Sequence, residues 1–244
     1  MGVLSAEGVQ SVFHYSPLHY LIFIARTAAI LSKSSLRKAG FDSTHFRSTS
    51  MEHDIARGFG DYAHLTIAAQ PKILKSKLAA GFPHVALAIP VNAVEAVPFS
   101  LCRFNVAMTR CVRRGNKCGY SESATNGRYY PDHQIPIART AFDKTAMLKK
   151  HLPNGAMIEV LVRGKLNLPD KTSVVCFSKQ DTEIVSNALA KLNCRWTVQN
   201  SSPLEPYPRD DGYVALVADF IERALLDPSW RGNGLEFDRL SSRS

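Results

Sequence analysis

The chain is short of most features that would place it quickly. Its five cysteines (Cys102, Cys111, Cys118, Cys176 and Cys194) are an odd set with no C-x-x-C pair. That argues against a disulfide framework or a thiolate zinc site, so no metal is expected, and it fits reduced thiols in a cytoplasmic setting. Long apolar runs are missing. One of the longest, around Tyr20–Ile24, ends before Arg26, so no membrane span is expected. The opening MGVLSAEGVQSVFHY has neither a basic start nor an extended apolar stretch, so no secretory signal is expected. There is no P-loop, GxGxxG, HExxH or GxSxG and no internal repeat, which removes the sequence signatures of the common nucleotide-binding, zinc-protease and serine-hydrolase folds. Acids are also scarce. The 21 acidic residues face 30 basic ones, a balance of +9 that points to a polyanionic partner or a phosphate-bearing ligand.

What remains is ordinary globular material. Hydrophobic content of 45% and charged content of 21% suit one large soluble domain, or a domain with an appendage. The stretch around which the rest is read is Asn154–Val162, NGAMIEVLV. Two turn formers open into a β-rich run in which Ile158, Val160 and Val162 share one face and Met157, Glu159 and Leu161 the other. Glu159 is then a lone carboxylate among hydrophobic neighbours. Either it lies on a solvent face, or it is paired or opens onto a cleft.

Upstream, Gln10–Tyr15 reads as a strand with Val12 and His14 on one face and Phe13 and Tyr15 on the other, followed by a helix over Leu18–Ser32. His14 is the last polar side chain before a strand-to-helix turn, a position used by ligand sites and by structural histidines alike. Ser34–Gly60 reads as a long Arg-bearing loop (Arg37, Arg47, Arg57) with one helical turn near Met51–Ala56. Asp61–Ala68 is a strand with Tyr62, His64 and Thr66 on one face, where Tyr62 either stacks on a flat ligand or fills a half-buried place. Pro71–Ala80 is a short basic helix, Val85–Pro90 a buried strand and Val97–Met108 a β-like run.

Thr109–Arg139 is the most polar section. Arg110, Arg113, Arg114, Lys117 and Arg128 alternate with Tyr120, Tyr129 and Tyr130. Cations for phosphates beside aromatic faces for unstacked bases are what a single-stranded nucleic-acid surface needs, and an ordinary basic loop is the alternative. Then come a helix over Phe142–His151, the Glu159 strand, a strand over Ser173–Ser178, a helix over Asp181–Leu192 capped by Asp181 or Thr182, and a last strand over Cys194–Val198. Asn200–Gly212 reads as a proline-containing linker and Tyr213–Leu226 as an amphipathic helix, so residues 1–199 are expected to form the main domain and residues 200–244 a linker, a helix and a tail.

In order, these pieces resemble the ADP-ribosyltransferase fold, and within it the DarT family of toxins that attach ADP-ribose to bases of single-stranded DNA. The matching segments are Phe13-His14-Tyr15-Ser16, the helix ending Ala29-Ile30-Leu31-Ser32, Ile55-Ala56-Arg57, Gly60-Asp61-Tyr62, and Ile158-Glu159-Val160-Leu161-Val162. The resemblance implies an α+β fold of two small packed β-sheets flanked by helices, with an NAD cleft between them. It implies NAD as ADP-ribose donor, Glu159 and Arg57 as catalytic residues, and His14, Ser16, Tyr62 and Arg47 as NAD-binding residues. Single-stranded DNA would be the acceptor, bound by Arg110, Arg113, Arg114, Lys117, Tyr120 and Arg128, and an antitoxin or ADP-ribose hydrolase would be a partner. Ser16 stands where the family has Thr, and the strand AHLTIA differs from its VPFYF type. The acceptor therefore stays open among DNA, RNA and protein, and a catalytically silent nucleic-acid-binding module is the further alternative.

Overall fold

Period-two hydrophobicity and short turn segments give a chain of short strands and modest helices. The computed structural model describes residues 2–41, 54–55, 58–68, 72–79, 81–103, 110–114, 117–121, 137–155, 157–201 and 211–230. In chain order the elements are α1 (Val3–Ala6), β1 (Ser11–Pro17), α2 (Leu21–Thr27), β2 (Ala29–Leu31), α3 (Lys33–Lys38), β3 (Tyr62–Thr66), α4 (Lys72–Ala79), β4 (His84–Pro90), α5 (Val91–Glu95) and β5 (Phe99–Cys102). They continue with β6 (Arg110–Arg114), β7 (Lys117–Ser121), β8 (Ile137–Ala138), α6 (Ala141–His151), β9 (Glu159–Arg163), β10 (Lys165–Asn167), β11 (Ser173–Cys176), α7 (Lys179–Lys191), β12 (Thr197–Asn200) and α8 (Asp211–Leu226). This is a mixed α and β fold, with multi-stranded sheet and small two-stranded sheets flanked by helices. Among the described residues no helix is long and apolar enough to cross a membrane.

The chain divides into two compact units. The first comprises Met1–Val12, Leu31–Ala68 and Val91–Leu166, and the second Phe13–Ile30, Ala69–Pro90 and Asn167–Ser244. In the first unit the strands run β3-β9-β5-β8, each pair antiparallel. The apolar face holds Ala63, Leu65, Leu101, Val160 and Val162, all buried. Helix α6 covers β5 and β8, and its N-terminus is capped by Thr140, whose hydroxyl accepts from the Asp143 amide at 3.1 Å.

In the second unit β12 pairs with β11 in parallel, β11 with β4 antiparallel, and β1 lies beyond β4. Phe13, Tyr15 and Val175 pack on a cluster of Leu74, Leu78, Ala86 and Phe177. Helix α8 packs on α2 and α7, where Phe220 meets His19, Phe23 and Trp230, and the Arg26 guanidinium donates to the Ala224 carbonyl.

Five local expectations change. The helix expected over Leu18–Ser32 stops at Ala28, which turns left-handed at φ 43°, ψ 38°. Its carbonyl then accepts from the Leu168 amide at 2.7 Å, so β2 replaces the last helical turn. Part of the expected Ser34–Gly60 loop is helix α3, because the buried Ser32 hydroxyl accepts from the Ser35 amide and caps it. The polar section after Thr109 contains an antiparallel β6–β7 pair, with Arg114 opposite Lys117 and Arg110 opposite Ser121. The cap of α7 is Ser178 rather than Asp181 or Thr182, and the last strand runs Thr197–Asn200 rather than Cys194–Val198.

Candidate active site

Antiparallel pairing decides the fate of Glu159. Strand β9 lies between β3 and β5, and Glu159 sits opposite Thr66 on one side and Cys102 on the other. The same register sets His64 opposite Leu161 and Tyr62 opposite Arg163. The polar face of β3 and the Glu159 face of β9 therefore coincide. Glu159 is not on a solvent face: it is 5% exposed.

A buried carboxylate has to be met by donors. His64 supplies one, with Nδ1 2.9 Å from Glu159 Oε1. Its Nε2 is 3.2 Å from the Phe59 carbonyl and 3.9 Å from Asp54 Oδ2. Both ring nitrogens thus face oxygen atoms, one on the Glu159 side and one on the Phe59 side. Asp54, fully buried, pairs in turn with Lys33. Burial pulls the Lys33 ammonium down to about 8, against the attraction of Glu159, which acts to raise it. The result is a line of alternating charge-bearing groups, Lys33, Asp54, His64 and Glu159, on one unit.

The backbone around Glu159 is fixed as well. The Thr66 hydroxyl donates to the Ile158 carbonyl at 3.2 Å and accepts from the Ala68 amide at 3.1 Å, while the Ile67 amide donates to the same Ile158 carbonyl at 3.1 Å. The carbonyl of the residue before Glu159 is therefore held twice, by Thr66 and Ile67, and the Thr66 hydroxyl is itself fixed by the Ala68 amide.

Tyr62 opens β3, half-buried, its ring 6.1 Å from that of Phe59 and packed on the Phe59, Cys102 and Leu161 cluster. It shares the strand face of His64 and Thr66. His14 lies in β1 in the second unit, half-buried and on the strand face opposite Phe13 and Tyr15; burial pushes the Tyr15 hydroxyl up. Ser16 is buried, and its hydroxyl donates to the Pro17 carbonyl at 3.1 Å. Arg110, Arg113, Arg114, Lys117 and Tyr120 fall on the β6–β7 pair. Arg47, Arg57 and Arg128 lie outside the described residues.

The structure thus joins Glu159 to one residue that had drawn no functional reading, His64, and to two more behind it, Asp54 and Lys33. The signal for His64 was its alternation with Tyr62 and Thr66. Nothing local marked Asp54 or Lys33.

No protein-family profile matches the chain, and no curated protein matches it in sequence. Solved structures do match. Thermus sp. 2.9 DarT in complex with ADP-ribosylated ssDNA superposes with a TM-score of 0.53 at 12% identity, covering 79% of this chain and 94% of that one. The fold is that of DarT. The DarT complexes with NAD+ and with carba-NAD+ give TM-scores of 0.52 and 0.50, also at 12% identity, covering 80% and 79% of this chain and 96% and 95% of theirs.

Proposed function

We propose that the protein is an NAD-dependent mono-ADP-ribosyltransferase that joins ADP-ribose to a nucleic-acid base, with single-stranded DNA as the acceptor. The observation that carries the reading is Glu159, a buried carboxylate aimed by a histidine on the central strand of a unit within the DarT fold. The ligands of the Thermus sp. 2.9 protein, NAD+ and ADP-ribosylated ssDNA, support the same donor and acceptor here.

NAD is the ADP-ribose donor in this reading. It supplies an ADP-ribose whose bond to nicotinamide breaks with the electron pair leaving on nicotinamide, while the acceptor nitrogen bonds the ribose carbon and releases its proton. Glu159 faces the positive charge that develops on the ribose, and a positioned charge of this kind lowers a barrier by about 3–4 kcal/mol. Arg57, with Arg47 as second choice, neutralises the pyrophosphate or polarises the acceptor. His14 and Ser16 bind ribose hydroxyls, and Tyr62 stacks on nicotinamide. The cations of the β6–β7 pair, with Arg128 and Tyr120, hold the strand, whose unpaired base needs no flipping. The activity is toxin-like, because a modified template base obstructs copying, and it calls for an antitoxin or an ADP-ribose hydrolase as partner.

The test is mass spectrometry of single-stranded DNA, duplex DNA, RNA and bulk protein after incubation with NAD and the purified protein. Wild type adds one ADP-ribose to single-stranded DNA, and Glu159→Gln lowers the rate by at least about 100-fold with the fold kept. Addition to RNA or protein alone would replace the acceptor and keep the donor. Wild-type rates in the mutant would remove Glu159 from the site, and intact NAD with every acceptor would end the transferase reading.

A further inference from the structure

The carboxylate proposed to act on NAD does not aim itself. Glu159 has three side-chain torsions, and on a strand its head would sample several directions unless something held it. We infer that His64 is the positioning residue of this site: its Nδ1–H holds Glu159 Oε1, while the Phe59 carbonyl and the Asp54–Lys33 pair hold the far side of its ring. The inference rests on the ADP-ribosyltransferase reading for its consequence, and on geometry alone for its first step.

The geometry is restrictive. His64 and Glu159 are diagonal neighbours on adjacent strands, since Thr66 and not His64 stands directly opposite the glutamate. Only a long side chain spans such a diagonal. The imidazole does so, and its other nitrogen ends at a carbonyl that is itself fixed. The Phe59 amide donates to the Asp54 carbonyl at 2.7 Å, and the Tyr62 amide donates to the Phe59 carbonyl at 3.1 Å. The ring cannot turn about its long axis without losing a partner at each end. Behind it the Asp54 carboxylate is enclosed, with Oδ1 meeting no partner among the described residues while Oδ2 faces both Lys33 and His64. Outward from the site the groups run carboxylate, imidazole, carboxylate and ammonium, from Glu159 through His64 and Asp54 to Lys33.

Holding one oxygen of Glu159 orients the other. A carboxylate that stabilises charge on a ribose acts through direction as much as through charge, because the site must be ordered before the bond breaks. Loss of the His64 contact should therefore lower kcat and leave NAD binding almost unchanged.

The experiment compares His64→Asn, His64→Gln and His64→Leu with wild type. An Asn amide nitrogen falls near the place of Nδ1, and a Gln amide nitrogen near that of Nε2. Asn is expected to keep at least about a third of kcat, whereas Gln and Leu lose about 10- to 100-fold with KM for NAD within about twofold. Equal loss in all three, in step with thermal stability, would reduce His64 to a structural residue. Wild-type kcat in Leu would overturn the inference outright.

A second arm needs no turnover. In proton NMR the Nδ1–H of His64 should give a low-field resonance that moves upfield in Glu159→Gln. A resonance unaffected by that change, or none assignable to His64 in wild type, overturns the inference. If wild type consumes no NAD but the resonance behaves as stated, the transferase reading has failed and the His64–Glu159 coupling stands.

Discussion

Lys33 and Asp54 form an ion pair in the interior of the first unit, with the Asp54 side chain 1% exposed and that of Lys33 18% exposed. The two belong to helix α3 and to the short helical turn at Asp54–Ile55, 21 residues apart in sequence. Enclosed charges of this sort are costly when separated and nearly neutral when removed together.

That asymmetry sets the first prediction. Lys33→Met leaves Asp54 buried without its cation and should lower stability by about 3–5 kcal/mol. Adding Asp54→Leu to Lys33→Met should recover most of the loss, read as the urea midpoint of each variant. A double variant no more stable than the single one would mean that Asp54 is compensated elsewhere.

The second concerns His84, in the second unit. Burial pulls its imidazole down to about 4 from 6.5, reinforced by Lys77 and opposed by the hydrogen bond to the Phe82 carbonyl at 3.1 Å. Between those values the unfolded chain binds a proton that the folded chain refuses. Stability is therefore complete above about 6.5 and falls as the pH drops toward 4. His84→Asn should flatten the acid side of a stability–pH curve over that window. An unchanged slope would assign the acid sensitivity to other groups.

Ala28 carries the third. Its left-handed backbone, φ 43°, ends α2 where a helix would otherwise run on. A Cβ in that conformation costs about 1 kcal/mol, which glycine avoids at the expense of a floppier unfolded chain. Ala28→Gly should raise stability by about 0.5–1 kcal/mol, measurable as a shift in Tm or urea midpoint. A fall in stability would show that the freedom glycine gives the unfolded chain outweighs the relieved strain at this exposed position.

Much of the site was legible in single segments. The alternation of Tyr62, His64 and Thr66, and that of Glu159 and Leu161 against Ile158, Val160 and Val162, follows from a side-chain period of two. It needs no knowledge of what the strands pair with. The same holds for the apolar runs of β4 and β11 and for the amphipathic α7 and α8. The errors fell where a local pattern met a distant partner. Leu18–Ser32 is helical by its own preferences, yet Ala28 bonds to Leu168 and Ser32 to Gly164. Nothing in the sequence sets Ser32 and Ser178 apart from the other serines; the hydrogen bonds to the Ser35 and Asp181 amides make them the caps.

By itself the sequence determined which residues share a strand face, which run is the catalytic candidate and that the surface is basic, because each depends on neighbouring residues or on totals. Tertiary structure alone decided that Glu159 is buried, that His64 meets it across 95 residues of chain, and that Asp54 and Lys33 stand behind. The reason is register: an antiparallel pairing shifted by one residue would turn Glu159 to the face opposite His64, and only the sum of apolar contacts over the whole unit selects the pairing that brings them together.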